Sequence, residues 1–356
     1  MKKFLSLLLC LVFAVTMLAS CSEDVIGDYE YPNFVPKETP AITLDFYVIA
    51  GEGTSDLAKD TVERMLSQYT ETKYKTSLVL HYIAEADYKA ELLDGINKDG
   101  ADKADIVLVN SAELMKELVA DNKLLDLTAY YNGDTYGRLN TMITKTLIEA
   151  SKIDGKIYSV PNDHVIGEYT YLIINEDVAT NGYNFSPASL KECKSLEDET
   201  MLRLKAALTA DGKRFSDYVK VVNGDYSDKA AYEAEGYICN VSSYPQVTEE
   251  EAFASSFAIV NGIQYSDRAM EILYLLNSDT YFRNLLQYGV EGANYVKDSK
   301  GNIVPLLDDD GNYNMNALHT GSAFLLYNSE SWTKEMNDIG LAQNKESVVA
   351  KPVINE

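Results

Sequence analysis

Apolar positions between residues 42 and 119 switch between two periods. Ile42, Leu44, Phe46 and Val48 alternate with Thr43, Asp45 and Tyr47, which predicts a strand over 42–49. Ala58, Val62, Met65, Leu66 and Tyr69 then recur at helical spacing, so a helix follows, capped by Thr54 or Ser55. Ser77–Ile83 reads as a second strand and Ala86–Ile96 as a helix with Tyr88, Leu92, Leu93 and Ile96 inward. The run from Asp105 to Val109 is continuously apolar after its first residue, as expected of a strand covered on both faces. Asn110 is placed to cap the next helix, with Glu113 closing a capping box and Leu114, Leu118 and Val119 as the buried stripe. Strand and helix alternate three times, the order of an α/β unit with largely parallel strands.

The pattern then changes. A helix is expected near Thr141–Ser151, and Lys156–Val160 is a short strand stopped at Pro161, which has no amide proton to extend a central strand. A polar break follows, with Asp163, His164 and Glu168 close together. Tyr169–Asn175 is again a strand, β-branched and aromatic. Two apolar strands around a polar break make a crossing between two lobes, with the break at the floor of the cleft. Residues 190–209 read as helical, with Leu196, Met201, Leu204 and Leu208 on one face. Lys220–Gln246 reads as loop-rich, with a turn at Asn223-Gly224 and a break at Pro245. Ser256–Val260 is a strand returning to the first lobe. Helices follow over 266–277, capped by Ser266 or Asp267, and over 281–288. Gly289 ends the second of these as a left-handed stop, and the loop after it presents Glu291. A hairpin turns at Lys300-Gly301, and Ser322–Tyr327 reads as a further strand.

The chain start changes the picture of compartment. Lys2 and Lys3 precede an apolar run from Phe4 to Met17, then Leu18-Ala19-Ser20-Cys21. The run is too short to span a bilayer and has the form of a lipoprotein signal peptide over 1–20. Cys21 would carry the lipid, and residues 21–40, rich in acid and proline, would be the tether. The folded part, from 41 onward, is long enough for two lobes.

With 31 basic and 55 acidic residues the net charge is −24, and removal of Lys2 and Lys3 makes it more negative. No Lys/Arg cluster stands out, which disfavours nucleic acid as a partner and makes a strongly anionic ligand less fitting. Cys193 and Cys239 remain after the leader; outside the cell they are either a disulfide or two buried thiols. They do not suggest a metal site, and His81, His164 and His319 are not paired at ligand spacing, so no metal and no cofactor is implied. The Asp308–Asn314 stretch fails as a calcium loop, with Tyr313 and His319 where glycine and glutamate are required. Gly51 and Gly53 lack the third glycine of a dinucleotide fingerprint and mark a tight turn at a strand's carboxyl end, with Glu52 and Tyr47 as rim candidates.

Two stretches carry a resemblance. Gly155, Lys156, Tyr158, Pro161, Tyr171, Asn175 and Glu176 are similar to the lobe crossover of bacterial extracellular solute-binding proteins, the capture subunits of ABC importers. Ala269, Met270, Leu276 and Asn277, with RNLLQYGVEGANY over 283–295, resemble the carbohydrate-binding lipoproteins of that family, the family 1-like group found in bacteria lacking an outer membrane. The resemblance implies a two-lobed, periplasmic-binding-protein-like α/β fold of type II, with mixed sheets flanked by helices and a hinge between lobes. It implies lobes over 41–160 plus 255–312 and over 161–254 plus 313–356; members of the family usually continue with further helices, so either the second lobe is trimmed or the sequence is incomplete. It also implies a monomer, lipid-anchored on the outer face of the cell membrane, that captures a sugar or oligosaccharide and delivers it to permease subunits.

A sugar offers apolar C–H faces and a rim of hydroxyls. Aromatic rings match the first, and Asp, Glu, Asn or His the second. The residues expected to bind are Glu52, Asp163, His164, Glu168 and Glu291 for the hydroxyls, with Tyr47, Tyr169 and Trp332 as stacking surfaces. No HExxH, GxSxG or phosphate-loop motif is present. Two competing readings are a secreted polysaccharide-degrading enzyme, whose paired carboxylates no motif marks, and a binder of peptides or other nutrients on the same fold.

Overall fold

The structure, a computed structural model, describes residues 40–351 apart from 101, 309 and 314. Cys21 and the leader lie outside the described residues. No helix among those described is long and apolar enough to cross a membrane.

The first sheet is built from β1 (Ile42–Ala50), β2 (Thr76–Ala84), β3 (Ile106–Val109), β4 (Ser159–Pro161) and β9 (Ser256–Ile259), in the order β2-β1-β3-β9-β4. β1 pairs in parallel with β2 along its whole length and with β3. The helices α1 (Asp56–Tyr74), α2 (Tyr88–Asn97) and α3 (Ala112–Ala120) make the crossovers. Ser55 caps α1, its Oγ accepting from Ala58 N at 3.0 Å. The cap of α3 is Ser111, one residue later than expected, and Met115 rather than Val119 completes its buried stripe. All four residues of β3 are buried, as the unbroken apolar run requires.

Three short helices between Thr128 and Ala150 lead into β4 (Ser159–Pro161). Pro161 is part of this strand, not its terminator. β4 is the sheet's edge and has only β9 (Ser256–Ile259) beside it, so the missing amide breaks no second ladder.

The second sheet is antiparallel, in the order β6-β5-β7. Its centre is β5 (Tyr169–Asn175), flanked by β6 (Val219–Gly224) and β7 (Tyr237–Ser243). One face carries Leu172 and Ile174 against Met201, Leu204 and Leu208 of α4 (Glu199–Ala210). The other carries Tyr169, Tyr171 and Ile173, with Tyr232 of α5 (Asp228–Ala234) packed on it. Strand, helix and strand over 219–243 correct the loop-rich reading of 220–246. The signal was weak because neither strand keeps a sustained apolar alternation. β6 exposes Lys220, Val221 and Asn223 in part or whole, and β7 ends in Asn-Val-Ser-Ser.

Cys193 sits in the first of these cores and Cys239 in the second, so the sheet separates them and both thiols are free. The two-thiol alternative therefore describes the structure.

After β8 (Gln246–Val247) and β9, the chain forms α6 (Ser266–Ser278) and α7 (Thr280–Tyr288). Tyr265 precedes α6 without a side-chain cap, whereas Asp279 caps α7 through Phe282 N at 2.9 Å. Ten consecutive residues of α6, Arg268 to Asn277, are buried, which makes it an interior helix. Gly289 ends α7 at φ 75°, ψ −144°, outside the left-handed helical region expected and open in practice to glycine alone. A Cβ there would also strike the Asn294 side chain.

β10 (Tyr295–Lys297) and β11 (Ile303–Pro305) form the expected hairpin. Residues 322–327 are not a strand: two 3₁₀ turns, over 317–319 and 323–325, occupy this region. α8 (Lys334–Glu346) and β12 (Val348–Val349) follow, with β12 pairing in parallel with β8.

Candidate functional site

Parallel strands in an open sheet leave their carboxyl ends free to receive a ligand, because the crossovers leave from there. The ends of β1 and β2 behave this way. A cavity of about 660 Å³ opens over Ile49, Ala50 and the Gly51–Thr54 turn on one side, and over Tyr82, Ala84 and Glu85 on the other. Glu52 and Lys59 line its rim. Gly53, at φ 78°, lets the turn reverse, and Asn312 donates to Gly53 O at 2.6 Å. The side chain of Asn312 thus braces the cavity wall.

The remaining wall is Asn316 and His319. Residues 315–327, assigned from sequence to the second lobe, are fastened to α7 by side chains that reach backbone carbonyls. Gln287 Nε2 donates to Met315 O at 2.7 Å. Arg283 donates to Ala317 O and to Ser322 O, each at 2.9 Å. Asn284 donates to Leu325 O at 2.7 Å and accepts from Tyr327 N at 2.8 Å. Arg283 is fully buried, and the groups that accept from it are neutral: those two carbonyls and the Gln287 amide. Burial pushes its pKa down to about 9, still protonated at neutral pH. A guanidinium suits this task because its planar fork serves several acceptors at once.

The same wall is tied to both crossings between the sheets. Asn162 Nδ2 donates to Leu318 O and to Ser255 Oγ, both at 2.9 Å, and Ser255 Oγ donates to Leu318 O at 2.5 Å. Asn162 N also donates to Ser255 O. Leu318, next to His319, therefore sits where the chain leaves the first sheet and where it returns.

His319 is 6% exposed, and its Nδ1 is buried with no hydrogen-bond partner. Burial lowers its pKa, so the ring is neutral at pH 7. An unpaired buried nitrogen costs about 1–3 kcal/mol unless something supplies the missing partner. Tyr82 is the aromatic ring of the cavity, and its hydroxyl meets that of Tyr313 at 3.2 Å.

Of the residues expected from sequence, Glu52 lines this cavity. Asp163 and His164 lie in the first crossing and are not among the residues that line the cavity. Asp163 is 2% exposed; its Oδ2 accepts from Thr144 N at 2.9 Å and its carbonyl accepts from Ala323 N at 2.7 Å. Burial raises its pKa to about 6, against the lowering effect of the Thr144 bonds. His164 Nδ1 meets Asn162 O at 2.9 Å, and its Nε2 is 4.0 Å from Glu251.

The others are placed elsewhere. Tyr47 is 3% exposed under α2, against Gly95. Tyr169 is 1% exposed, stacks on Tyr171 and donates to Glu346 at 2.9 Å. Glu168 is exposed, and Glu291 pairs with Lys297 at 3.0 Å. Trp332 packs on Phe324, with its indole N–H buried and unpartnered. The sequence reading missed Tyr82, Glu85, Asn316 and His319. The rule that pointed to Glu52 at the end of β1 applies equally to Tyr82 and Glu85 at the end of β2. No local pattern marks His319, which a distant helix holds in place.

This arrangement is the two-lobed fold of extracellular solute-binding proteins. The N-glycan transport solute-binding protein of Streptococcus pneumoniae superposes with a TM-score of 0.56 at 17% identity, covering 86% of this chain and 83% of that one. The same protein in complex with Man1GlcNAc gives 0.55 at 18% identity over 86% and 84%. In sequence, the chain is 38% identical over 98 residues to a carbohydrate ABC transporter substrate-binding protein of Streptococcus pneumoniae serotype 4. That match spans 26% of this chain and 20% of the relative's length. No family model matches the chain.

Proposed function

We propose that this protein is an extracellular solute-binding protein that captures a sugar or oligosaccharide and delivers it, unaltered, to the permease of an ABC importer. It acts as a monomer, held on the outer face of the membrane by lipid on Cys21. The ligand lies at the carboxyl ends of β1 and β2, and the lobe built on the second sheet closes over it. Similarity to sugar-binding relatives supports the class of ligand. The observation that carries the reading is His319. Its buried, neutral imidazole has an unpaired nitrogen beside a cavity of about 660 Å³, and a sugar hydroxyl, donor and acceptor at once, is the matching partner. Glu52, Glu85 and Asn316 add acceptors and a donor, and Tyr82 adds an apolar face.

Because Leu318 is bonded to both crossings, a ligand that engages His319 bears directly on the hinge. It shifts the open–closed equilibrium by as much as it prefers the closed state.

The test is a thermal-shift and tryptophan-fluorescence screen over mono- and oligosaccharides, with product analysis of each mixture. A sugar raises the melting temperature and no product forms. His319→Leu then weakens that sugar by about tenfold or more, the loss of one buried hydrogen bond. The ligand-free variant melts no lower than the parent, because the unpaired nitrogen has gone. A variant that binds the sugar as tightly as the parent would falsify the site.

A further inference from the structure

Four residues before the cavity, ~13 Å down β1 at ~3.3 Å per residue, three polar side chains converge on the face that α2 covers. Asp45, His81 and Asp102 each offer one ligand atom, and these atoms all lie within 4.8 Å of one another. Asp45 Oδ1 is 2.7 Å from His81 Nε2. The register of β1 on β2 pairs Tyr47 with His81 and Asp45 with Val79, which makes Asp45 and His81 diagonal neighbours on one face. Asp102 arrives from the loop before β3, at φ 63°.

Each of the three is held from behind. The Tyr47 ring stacks on the His81 imidazole with centroids 4.3 Å apart, and its hydroxyl donates to Asp102 O at 2.8 Å. One buried tyrosine therefore positions two of the groups. Asp105 Oδ2 accepts from Asp45 N at 2.9 Å and fixes the third. The cluster's two carboxylates, with Asp105 behind them, face one imidazole, while the nearby Lys98 is paired with Asp94 at 3.2 Å.

We propose that Asp45, His81 and Asp102 bind a divalent cation of the zinc class, with water at a fourth position. Bonds of ~2.0–2.2 Å to nitrogen and oxygen need ligand atoms roughly 3–3.5 Å apart, which small rotamer changes supply here. Imidazole favours zinc over calcium or magnesium, which take oxygen sets. Solvent reaches the site, since the His81 and Asp45 side chains are 22% and 18% exposed and Asp102 is exposed. The three ligands come from separate elements, so no short spacing in the sequence announces them. Bound metal pins Asp102 to the sheet. It does not touch the sugar cavity, so this inference stands apart from the proposed function.

The experiment uses the purified full chain, stripped with chelator, then titrated with ZnCl₂ by calorimetry and with CoCl₂ by absorption. One equivalent of zinc binds, and cobalt gives the d–d bands of a four-coordinate nitrogen–oxygen site. His81→Gln and Asp45→Asn each weaken zinc by at least about tenfold, and Tyr47→Phe by about tenfold, as outer-shell losses do. Metal-free melting curves check that each variant folds. Should His81→Gln fail to fold, Asp102→Asn on the exposed loop carries the test. Substoichiometric zinc, calcium bound as tightly as zinc, or unchanged affinity in the ligand variants overturns the site.

Discussion

Asp163 shows how one residue can be noticed for one reason and matter for another. Its polarity within a strand–break–strand pattern drew attention as a ligand group, yet its carboxylate is turned inward, onto Thr144 N. Oδ1 has no partner, and burial raises the pKa to about 6. The folded state therefore holds this proton more tightly than the unfolded chain, whose aspartate titrates near 3.8. That contribution to stability is complete below the unfolded pKa and is lost as pH rises through about 6. The gap between the two values corresponds to a loss on the order of 3 kcal/mol. Asp163→Asn keeps the shape and removes the titration. Its stability relative to the parent should improve between pH 4 and 7, read as the difference in urea midpoints. A constant difference across that range would show that Asp163 is not the group being protonated.

At the scale of elements, α7 performs a task that its sequence signature hid. Arg-Asn-Leu-Leu-Gln-Tyr was legible as a helix ending at a glycine; its cap at Asp279 was not, and Gly289 ends it at a backbone conformation other than the left-handed one expected. What the string could not show is where Arg283, Asn284 and Gln287 reach, because their partners are carbonyls 28 to 41 residues away. Strands with one strong period were legible too: β1, β2, β3 and β5 lie within a residue or two of the reading. The strands β6 and β7 were not, since β6 exposes Lys220, Val221 and Asn223 and β7 ends in Asn-Val-Ser-Ser, which leaves neither a sustained alternation. α8 was missed for a related reason. Its buried residues include Gln343 and Asn344, which serve the backbone at 164–167 and do not form an apolar stripe. The prediction at this scale is that Arg283→Lys loosens residues 317–325, because an ammonium cannot reproduce the fork. Hydrogen exchange there should quicken while α1 and β2 stay protected, and sugar affinity should fall by about tenfold, one buried hydrogen bond's worth. Unchanged exchange at 317–325 would remove α7 as the support of the His319 wall.

The whole molecule carries a net charge of −24, and this separates two effects that binding measurements often mix. A chain so negative repels itself, and the repulsion weakens as salt shortens the Debye length from ~10 Å at 0.1 M to ~3 Å at 1 M. Ligand-free stability should therefore rise with sodium chloride. An uncharged sugar gains or loses nothing from that long-range field, and the contacts proposed for it at His319, Asn316 and Glu52 are short-range hydrogen bonds. Its dissociation constant should then stay within about twofold from 0.05 to 0.5 M salt, beyond the modest change that a stiffer closed state brings. An anionic or cationic solute in the same cavity would behave otherwise. Affinity for an anion would strengthen with salt as repulsion is screened, and affinity for a cation would weaken. Calorimetric titrations at three salt concentrations, with melting curves alongside, distinguish these cases. A steep salt dependence of the sugar's affinity would mean that the cavity recognises charge and that Glu52 and Glu85 act through their fields rather than as hydrogen-bond acceptors.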